Sequence, residues 1–179
     1  MTFLLGSLAS ADTLTANKSE IYHLHRGDSV FISVWREETL QKQLVILPDG
    51  SLTYPLIGRV EIADLSTTEA EQIITTKLKK FLPNPVVSVA IVGIDGNRAF
   101  VSGKVMRPGF ITISGPTTVL QALSIVGGLD KFADEGGIKL LRNNPEGQVV
   151  IPINYSNIIS GKNLSTNILL RAEDTLIVP

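Results

Sequence analysis

The chain has 179 residues and no cysteine, which suits one ordinary domain or two small ones and excludes disulfides and thiolate metal sites. Its 16 basic and 17 acidic residues give a net charge of −1, which argues against binding nucleic acid through phosphate contacts. The 18% charged and 44% hydrophobic composition is apolar for a soluble domain of this size and fits either buried subunit interfaces or a β-rich core. There is no run of 18 apolar residues, the length that predicts a transmembrane helix.

The first 20 residues resemble the end of a secretory signal peptide followed by a linker. Residues 3–8 are mostly apolar, and Ala9-Ser-Ala11 has the small-x-small form of a cleavage site. We expect a mature chain that begins at about Asp12, with the true translation start upstream. An N-terminal tail is the alternative interpretation.

Residues 21–93 are predicted to form a first α+β unit. A strand ending at Trp35 alternates apolar residues on one face. A second apolar strand, residues 44–47, leads into the turn signal Pro48-Asp-Gly-Ser51. Short extended pieces follow around Pro55, and residues 86–92 are predicted to form a buried strand.

Between these strands lies the clearest predicted helix. Ser66 and Glu69 have the spacing of a capping box. One apolar stripe follows at helical spacing, formed by Ala70, Ile73, Ile74, Leu78 and Phe81. Pro83 and Pro85 are expected to end the helix.

Residues 97–179 are predicted to form a second unit with one helix packed on a curled mixed sheet. A strand (98–105), a turn at Pro108-Gly109 and a strand (110–113) precede a helix (118–126) that Gly127 ends as its C-cap. The remaining predicted strands are 138–142, 148–153, 168–170 and 175–178, with a turn or short helix around 155–160. The fold class is therefore α+β, in two small units joined at residues 93–97.

Five ordered motifs carry a family resemblance. They are L-x-x-G-D-x-V-x-I-x-V-W (24–35), P-D-G-x-L-x-x-P-L-I-G (48–58), L-x-x-F-L-x-N-P-x-V-S-V (78–89), V-x-G-x-V-x-x-P-G (101–109) and A-L-x-x-x-G-G-L (122–129). In this order they resemble polysaccharide biosynthesis/export proteins of the Wza type. In that family an export motif domain, here 21–93, precedes a soluble-ligand-binding β-grasp (SLBB) domain, here 97–179.

The motif residues are assigned structural roles. They are Gly27, Asp28, Asp49, Gly50, Gly58, Pro85, Gly103, Pro108, Gly109, Gly127, Gly128 and Asp174. Each of the three aspartates adjoins a turn signal, so we expect turn capping and not acid/base chemistry. A short echo links residues 26–32 with 172–178, since each has an aspartate and a hydroxyl residue before an apolar strand.

The resemblance implies a periplasmic ring of identical subunits that passes capsule or exopolysaccharide to the cell surface at the outer membrane. It implies an inner-membrane polysaccharide co-polymerase, often a tyrosine autokinase, as partner. The chain departs from the family in having no cysteine for a lipid anchor, a single β-grasp unit, and no amphipathic helix before its end at Pro179. We therefore expect a separate outer-membrane pore.

Catalytic chemistry is not predicted. His23 and His25 are the only histidines and lack an obvious third metal ligand, so they are interpreted as a surface pair. The sequence contains neither a nucleophile elbow nor a phosphate-binding loop, so no enzyme, cofactor or metal is expected. Lys104 and Arg107 flank the predicted Pro-Gly turn and are candidate contacts for an anionic glycan. The alternatives are a binding module for a glycan or small ligand without a channel role and, less favoured, an accessory enzyme with paired carboxylates.

Overall fold

A computed structural model describes residues 21–179. The signal-peptide remnant and linker predicted for residues 1–20 lie outside this range. In the first unit the elements are β1 (Ser29–Val34), a 3-10 helix (Glu38–Leu40), β2 (Lys42–Val45), β3 (Ser51–Tyr54), β4 (Gly58–Glu61), α1 (Thr67–Leu78) and β5 (Val87–Gly93). In the second they are β6 (Arg98–Gly103), β7 (Gly109–Thr112), α2 (Val119–Ile125), β8 (Ile138–Asn144), β9 (Gly147–Ile153), α3 (Tyr155–Ile159) and β10 (Thr175–Val178). The predicted α+β class is confirmed.

Each unit has its own sheet. In the first, β2, β1 and β5 form an antiparallel three-stranded sheet in that order, and β3 pairs with β4 in a separate hairpin. In the second, the strand order is β7-β6-β10-β8-β9, and only the β6–β10 pair is parallel. Two separate clusters of buried apolar side chains accompany these sheets.

The predicted alternation along β1 is confirmed. Val30, Ile32 and Val34 are buried in the first core, while Phe31 is partly exposed and Trp35, just past the strand, is 71% exposed. Since successive strand residues point to opposite sides, one face of the three-stranded sheet packs inward and the other faces solvent.

Two expectations for the first unit were wrong. Residues 55–57, predicted to be extended, form the turn of a hairpin in which β3 pairs with β4. The strand over residues 86–92 is not buried throughout: β5 is an edge strand with only Val89 buried, and Val86 and Val92 are 65% and 51% exposed. A strand with one face toward solvent buries only alternate residues, although the sequence here is apolar at every position but Ser88.

The capped helix is confirmed as α1, but its stripe is shorter than predicted. The Ser66–Glu69 capping box is present, and Ala70, Ile74 and Leu78 are fully buried. Phe81 is 55% exposed because the helix ends at Leu78, before either proline. Helical spacing places a side chain on the stripe only while the helix continues.

In the second unit the predicted two-residue turn at Pro108-Gly109 was wrong. Gly109 is already the first residue of β7, paired with Val101, and the chain reverses over residues 104–108. Residues 168–170 form no strand; Leu169 makes one isolated bridge to Thr118. The last strand, β10, lies between β6 and β8 at the centre of the sheet.

Candidate functional site

The loop over residues 104–108, which ends at Pro108, is held by backbone hydrogen bonds on three sides. The Lys104 N–H donates to the Val178 carbonyl of β10 at 2.8 Å, and the Lys104 carbonyl accepts from the Asp130 N–H at 3.0 Å. The N–H groups of Met106 and Arg107 donate to the carbonyls of Gly128 and Val126, at 3.1 and 3.0 Å. The loop is thereby fixed to the last strand and to the end of α2.

Two glycines end α2 in a Schellman motif. Gly127 and Gly128 have φ of 89° and 87°, a region that residues with a Cβ avoid. The Gly128 N–H bonds the Leu123 carbonyl at 2.8 Å, and the Gly127 N–H bonds the Ser124 carbonyl at 3.1 Å. The sequence pattern G-G-L therefore closes the helix and also presents the carbonyl that Met106 binds.

Gly103 lies where β6 and β10 approach each other closely. It ends β6 opposite Val178 and has φ of 96°. A Cβ at this position would overlap the Val178 carbonyl oxygen. The first glycine of V-x-G-x-V is thus required by the parallel pairing of β6 with β10.

The two candidate glycan contacts lie on this loop with exposed side chains. One Nη of Arg107 donates to the Ile125 carbonyl at 3.0 Å, which fixes the guanidinium at the C-terminal end of α2. A cation is favoured there by the helix dipole, so Arg107 has a structural role whether or not it meets a glycan. Pro108 and Gly109 are exposed, and a Cβ on Gly109 would meet nothing within 4 Å.

Asp28 and Asp174 form equivalent turns in the two units. The carboxylate of Asp28 accepts from the His25 N–H at 2.8 Å, and that of Asp174 accepts from the Arg171 N–H at 2.7 Å. In both turns the preceding residue has positive φ, 95° at Gly27 and 67° at Glu173. The echo between residues 26–32 and 172–178 therefore corresponds to one local geometry used twice.

Asp28 is fully buried and accepts two further hydrogen bonds. They come from the Tyr22 hydroxyl at 2.6 Å and the Gly96 N–H at 2.9 Å. Burial raises the pKa of Asp28, but the hydrogen bonds from His25, Tyr22 and Gly96 outweigh it and hold the pKa below its ordinary value. Burial, together with the adjacent carboxylate, raises the pKa of Tyr22. The carboxylate is therefore a charged anchor that joins the first unit to the linker before β6.

Asp174 is buried in a bidentate ion pair. Arg142 on β8 donates its Nε and one Nη to the two carboxylate oxygens, at 2.9 and 2.7 Å. The same guanidinium reaches the Leu169 carbonyl at 2.8 Å, and its hydrogen bonds to Asp174 raise the pKa of Arg142. Two partners 32 residues apart are held together, so this pair ties β8 to the turn before β10.

The remaining motif residues lie at turns of the first unit. Asp49 accepts from the Ser51 N–H and hydroxyl, at 2.9 and 2.6 Å, and these bonds lower the pKa of Asp49. Gly50 and Gly58 have φ of 84° and 67°, at the start of β3 and of β4. Pro85 is buried just before β5.

The two histidines are not brought together as a ligand pair. His23 is exposed, whereas His25 Nδ1 lies 3.1 Å from the Tyr22 hydroxyl. Among residues 21–179, no group of three His, Cys, Asp or Glu side chains is placed to bind a metal. Nor does this part of the chain contain a helix long and apolar enough to cross a membrane.

Sequence reasoning missed three features of these sites. Arg142 gave no local signal, since its partner is distant in sequence. The hydroxyl of Tyr22 likewise gave no sign of its bond to Asp28. The capping box of α2, formed by Thr118 and Gln121, was detectable from the T-x-x-Q spacing.

Curated relatives share part of this chain. It is 28% identical to the polysialic acid transport protein KpsD of Escherichia coli over 123 residues, which is 68% of this chain and 22% of that protein. It is 26% identical to the EPS I polysaccharide export outer membrane protein EpsA of Ralstonia nicotianae over 136 residues, 75% of this chain and 35% of EpsA. The capsule polysaccharide export outer membrane protein CtrA of Neisseria meningitidis serogroup A is 28% identical over 145 residues, 78% of this chain and 35% of CtrA. The chain thus spans between about a fifth and a third of the length of these relatives.

Two family models match in tandem. The polysaccharide biosynthesis/export protein model matches residues 16–92, and the SLBB domain model matches residues 97–178. The first match contains the Asp28 turn, and the second contains the loop at 104–108, the Gly127-Gly128 motif and the Asp174 turn. The chain therefore combines a polysaccharide biosynthesis/export domain with an SLBB domain, in the order that the resemblance to Wza-type export proteins predicts.

Proposed function

We propose that this chain is a non-catalytic subunit of a polysaccharide export channel, located in the periplasm and associated with the outer membrane. The observation that carries the proposal is the ordered pair of domains over residues 16–178. Relatives that share this region are named for export or transport of capsule, exopolysaccharide or polysialic acid. The cargo class is therefore an extracellular or capsular polysaccharide.

A conduit would lie between subunits. The interior of each unit is occupied by its own apolar side chains, with Ile74 in the first core and Leu123 in the second at most 1% exposed. Small packed cores leave no space for a sugar chain. A closed head-to-tail ring of identical subunits would create a lumen without opening either core.

The proposed partners follow from this role. An inner-membrane polysaccharide co-polymerase or tyrosine autokinase would deliver the polymer, and a separate outer-membrane pore would release it. No enzymatic step on the polysaccharide is assigned to residues 21–179. Support for these partners comes from the family resemblance.

Deletion of the gene tests the export role. We expect polymer to accumulate inside the envelope while nucleotide-sugar precursor levels stay normal, and the wild-type gene to restore surface polysaccharide.

Native mass measurement of the purified chain tests the ring. Normal surface polysaccharide in the deletion strain, with a strictly monomeric protein at high concentration, would contradict the proposal.

The second candidate is a soluble β-grasp module that binds a glycan or small ligand and forms no channel. It is favoured by the exposed side chains of Lys104 and Arg107 on one loop. Lys104→Ala and Arg107→Ala would then weaken binding of the purified polysaccharide, whereas Lys162→Ala, also exposed, would not. Glycan binding by a monomer, lost in the two loop variants, would favour this module over the channel subunit.

A further inference from the structure

The outward side of the three-stranded sheet lacks ionisable side chains. Cross-strand pairing places Phe31 of β1 between Gln43 of β2 and Ala90 of β5, with Val45 and Ser88 on the same side. We call these five residues, with Trp35 at their end, the uncharged face. Elsewhere in the same unit the outward residues of β4 are Arg59 and Glu61, so the lack of charge is local to this sheet.

The uncharged face exposes a tryptophan, Trp35, which is unusual on the surface of a monomer. It is the only tryptophan in the chain, and its side chain is 71% exposed. The backbone N–H of Trp35 donates to the Val86 carbonyl at 2.9 Å, and Val86 is 65% exposed. Tryptophan is one of the residue types enriched in protein interfaces, where it contributes much of the binding energy.

A second apolar surface crosses the five-stranded sheet of the other unit. Register places Phe110, Phe100, Thr175, Leu141 and Val150 side by side, one from each strand, and we call this row the β-grasp face. Phe110, Phe100 and Val150 are 56%, 47% and 57% exposed. Polar residues flank the row, including Arg98 and Thr112 on one side and Ser102 and Lys139 on the other. An apolar centre with a polar rim is the usual composition of a protein contact.

Burying the β-grasp face would leave little charge without a partner. The Arg98 guanidinium stacks on the Phe110 ring, with Cζ 4.4 Å from the ring centroid, and pairs with Asp95 at 2.8 Å. Phe110 is thereby held in place before any contact forms, which lowers the entropy cost of binding. Lys139, in a flanking row, can stay hydrated at the rim.

The two faces match in size and in charge. Five strands about 4.8 Å apart make a row about 19 Å long, and the six residues of β1 extend about 20 Å. Laying the row along β1 crosses the two sheets at nearly a right angle, which is one of the two common sheet packings. The net charge of −1 leaves little repulsion between copies of the chain.

We infer that the uncharged face of one copy packs on the β-grasp face of the next copy, in a head-to-tail contact. This inference rests on the ring assembly proposed above. The overlap is on the order of 300 Å² per side from these dimensions, below the roughly 800 Å² per partner of a stable complex. One contact alone is therefore weak, and a closed ring is favoured because every subunit makes the contact twice.

The absence of cysteine allows a direct test in the full chain. Trp35→Cys and Phe110→Cys are purified separately, mixed, and treated with a short bis-maleimide crosslinker. We expect a crosslinked pair containing one of each variant, and no crosslink within either variant alone. Thr76→Cys, on the exposed side of α1, replaces Trp35→Cys in the matched control and should give no pair. Crosslinking within a single variant, or equal crosslinking to Thr76→Cys, would overturn the inference.

Fluorescence of Trp35 gives a second measurement. Emission of the wild-type chain should shift to shorter wavelength as concentration rises and the indole becomes buried. Phe110→Glu should keep its melting temperature within a few degrees but require at least tenfold higher concentration for the same shift. The inference is overturned if Phe110→Glu assembles at the same concentration as the wild-type chain. It is also overturned if Phe110→Glu assembles normally but no longer binds polysaccharide, because the β-grasp face would then be a glycan site. Ring formation by mass without the mixed crosslink rejects this contact and leaves the export proposal standing. A monomeric wild-type chain rejects both this contact and the ring, and the deletion strain then decides the export role separately.

Discussion

Asp28 and Asp174 accept the same backbone hydrogen bond within their turns but differ in the other groups that contact the carboxylate. Both accept an N–H from the residue three positions earlier. Asp28 also accepts from the Tyr22 hydroxyl and the Gly96 N–H and has the His25 imidazole Nδ1 3.7 Å away, whereas Asp174 pairs with the Arg142 guanidinium. Removing a neutral donor leaves one hydrogen bond unmade, while removing the guanidinium leaves a buried charge uncompensated.

Asp28→Asn should lower stability in a pH-dependent way. The folded-state pKa of Asp28 lies below its ordinary value of 3.8, so the charged carboxylate stabilises the fold above that pH. That stabilisation is lost as pH falls through the folded-state pKa. Urea unfolding of both proteins should therefore show a free-energy difference that is largest near neutral pH and shrinks below pH about 4.

Asp49→Asn is the matched control, because the Asp49 side chain is 46% exposed. Near neutral pH, Asp49→Asn should lower the free energy of unfolding by less than Asp28→Asn does. A constant difference between wild type and Asp28→Asn from neutral pH down to acid would show that the carboxylate charge does not stabilise the turn.

Arg142→Ala should destabilise the second unit by about 3–5 kcal/mol, the cost of leaving one partner of a buried pair uncompensated. The side chains of Arg142 and Asp174 are only 11% and 2% exposed. Arg59→Ala removes the exposed ion pair with Asp49, whose side chains are 60% and 46% exposed, and should cost about 0–1 kcal/mol. Chemical denaturation measures both. Equal losses in the two variants would mean that burial does not strengthen the Arg142 pair.

At the scale of elements, signals within a few residues were reliable and pairings between distant strands were not. The start of α1 followed from Ser66 and Glu69, because both capping bonds form within one helical turn. The central position of β10 had no such signal, since its neighbours β6 and β8 are set by packing across more than 30 residues. The Pro108-Gly109 turn is the exception among the local signals, because backbone hydrogen bonds to the end of α2 hold this loop in another shape.

The corrected stripe of α1 gives a paired prediction. Ile74 is fully buried, so Ile74→Ala should cost about 2–5 kcal/mol. Phe81→Ala removes a larger side chain but one that is 55% exposed, and it should stay within about 0.5 kcal/mol of wild type. Urea titrations of both variants provide the comparison. A larger loss of unfolding free energy for Phe81→Ala would mean that Phe81 belongs to the core after all.

At the scale of the whole molecule, the linker between the units is bonded on both sides. The Gly96 N–H donates to the Asp28 carboxylate of the first unit, and the Asn97 side-chain amide donates to the Ile113 carbonyl of the second, at 2.9 and 2.8 Å. Both acceptors lie in well-packed parts of their units, since Asp28 and Ile113 are buried. The two units are therefore coupled through four consecutive residues, 94–97, without a long flexible connection.

Gly96→Ala should uncouple the two units while each stays folded. A Cβ at Gly96 would overlap the Arg26 carbonyl oxygen, so the linker must move and the bond to Asp28 is lost. The cost should be about 1–3 kcal/mol, as for overpacking. We expect calorimetry to show two separated transitions in place of one, and small-angle scattering to show a larger radius of gyration. Gly115→Ala is the control, because a Cβ there meets nothing within 4 Å and its φ is not positive. If Gly96→Ala unfolds in one transition at the wild-type temperature with unchanged scattering, the Asp28–Gly96 bond does not hold the units together, and the rigidity that a closed ring needs must come from contacts between subunits.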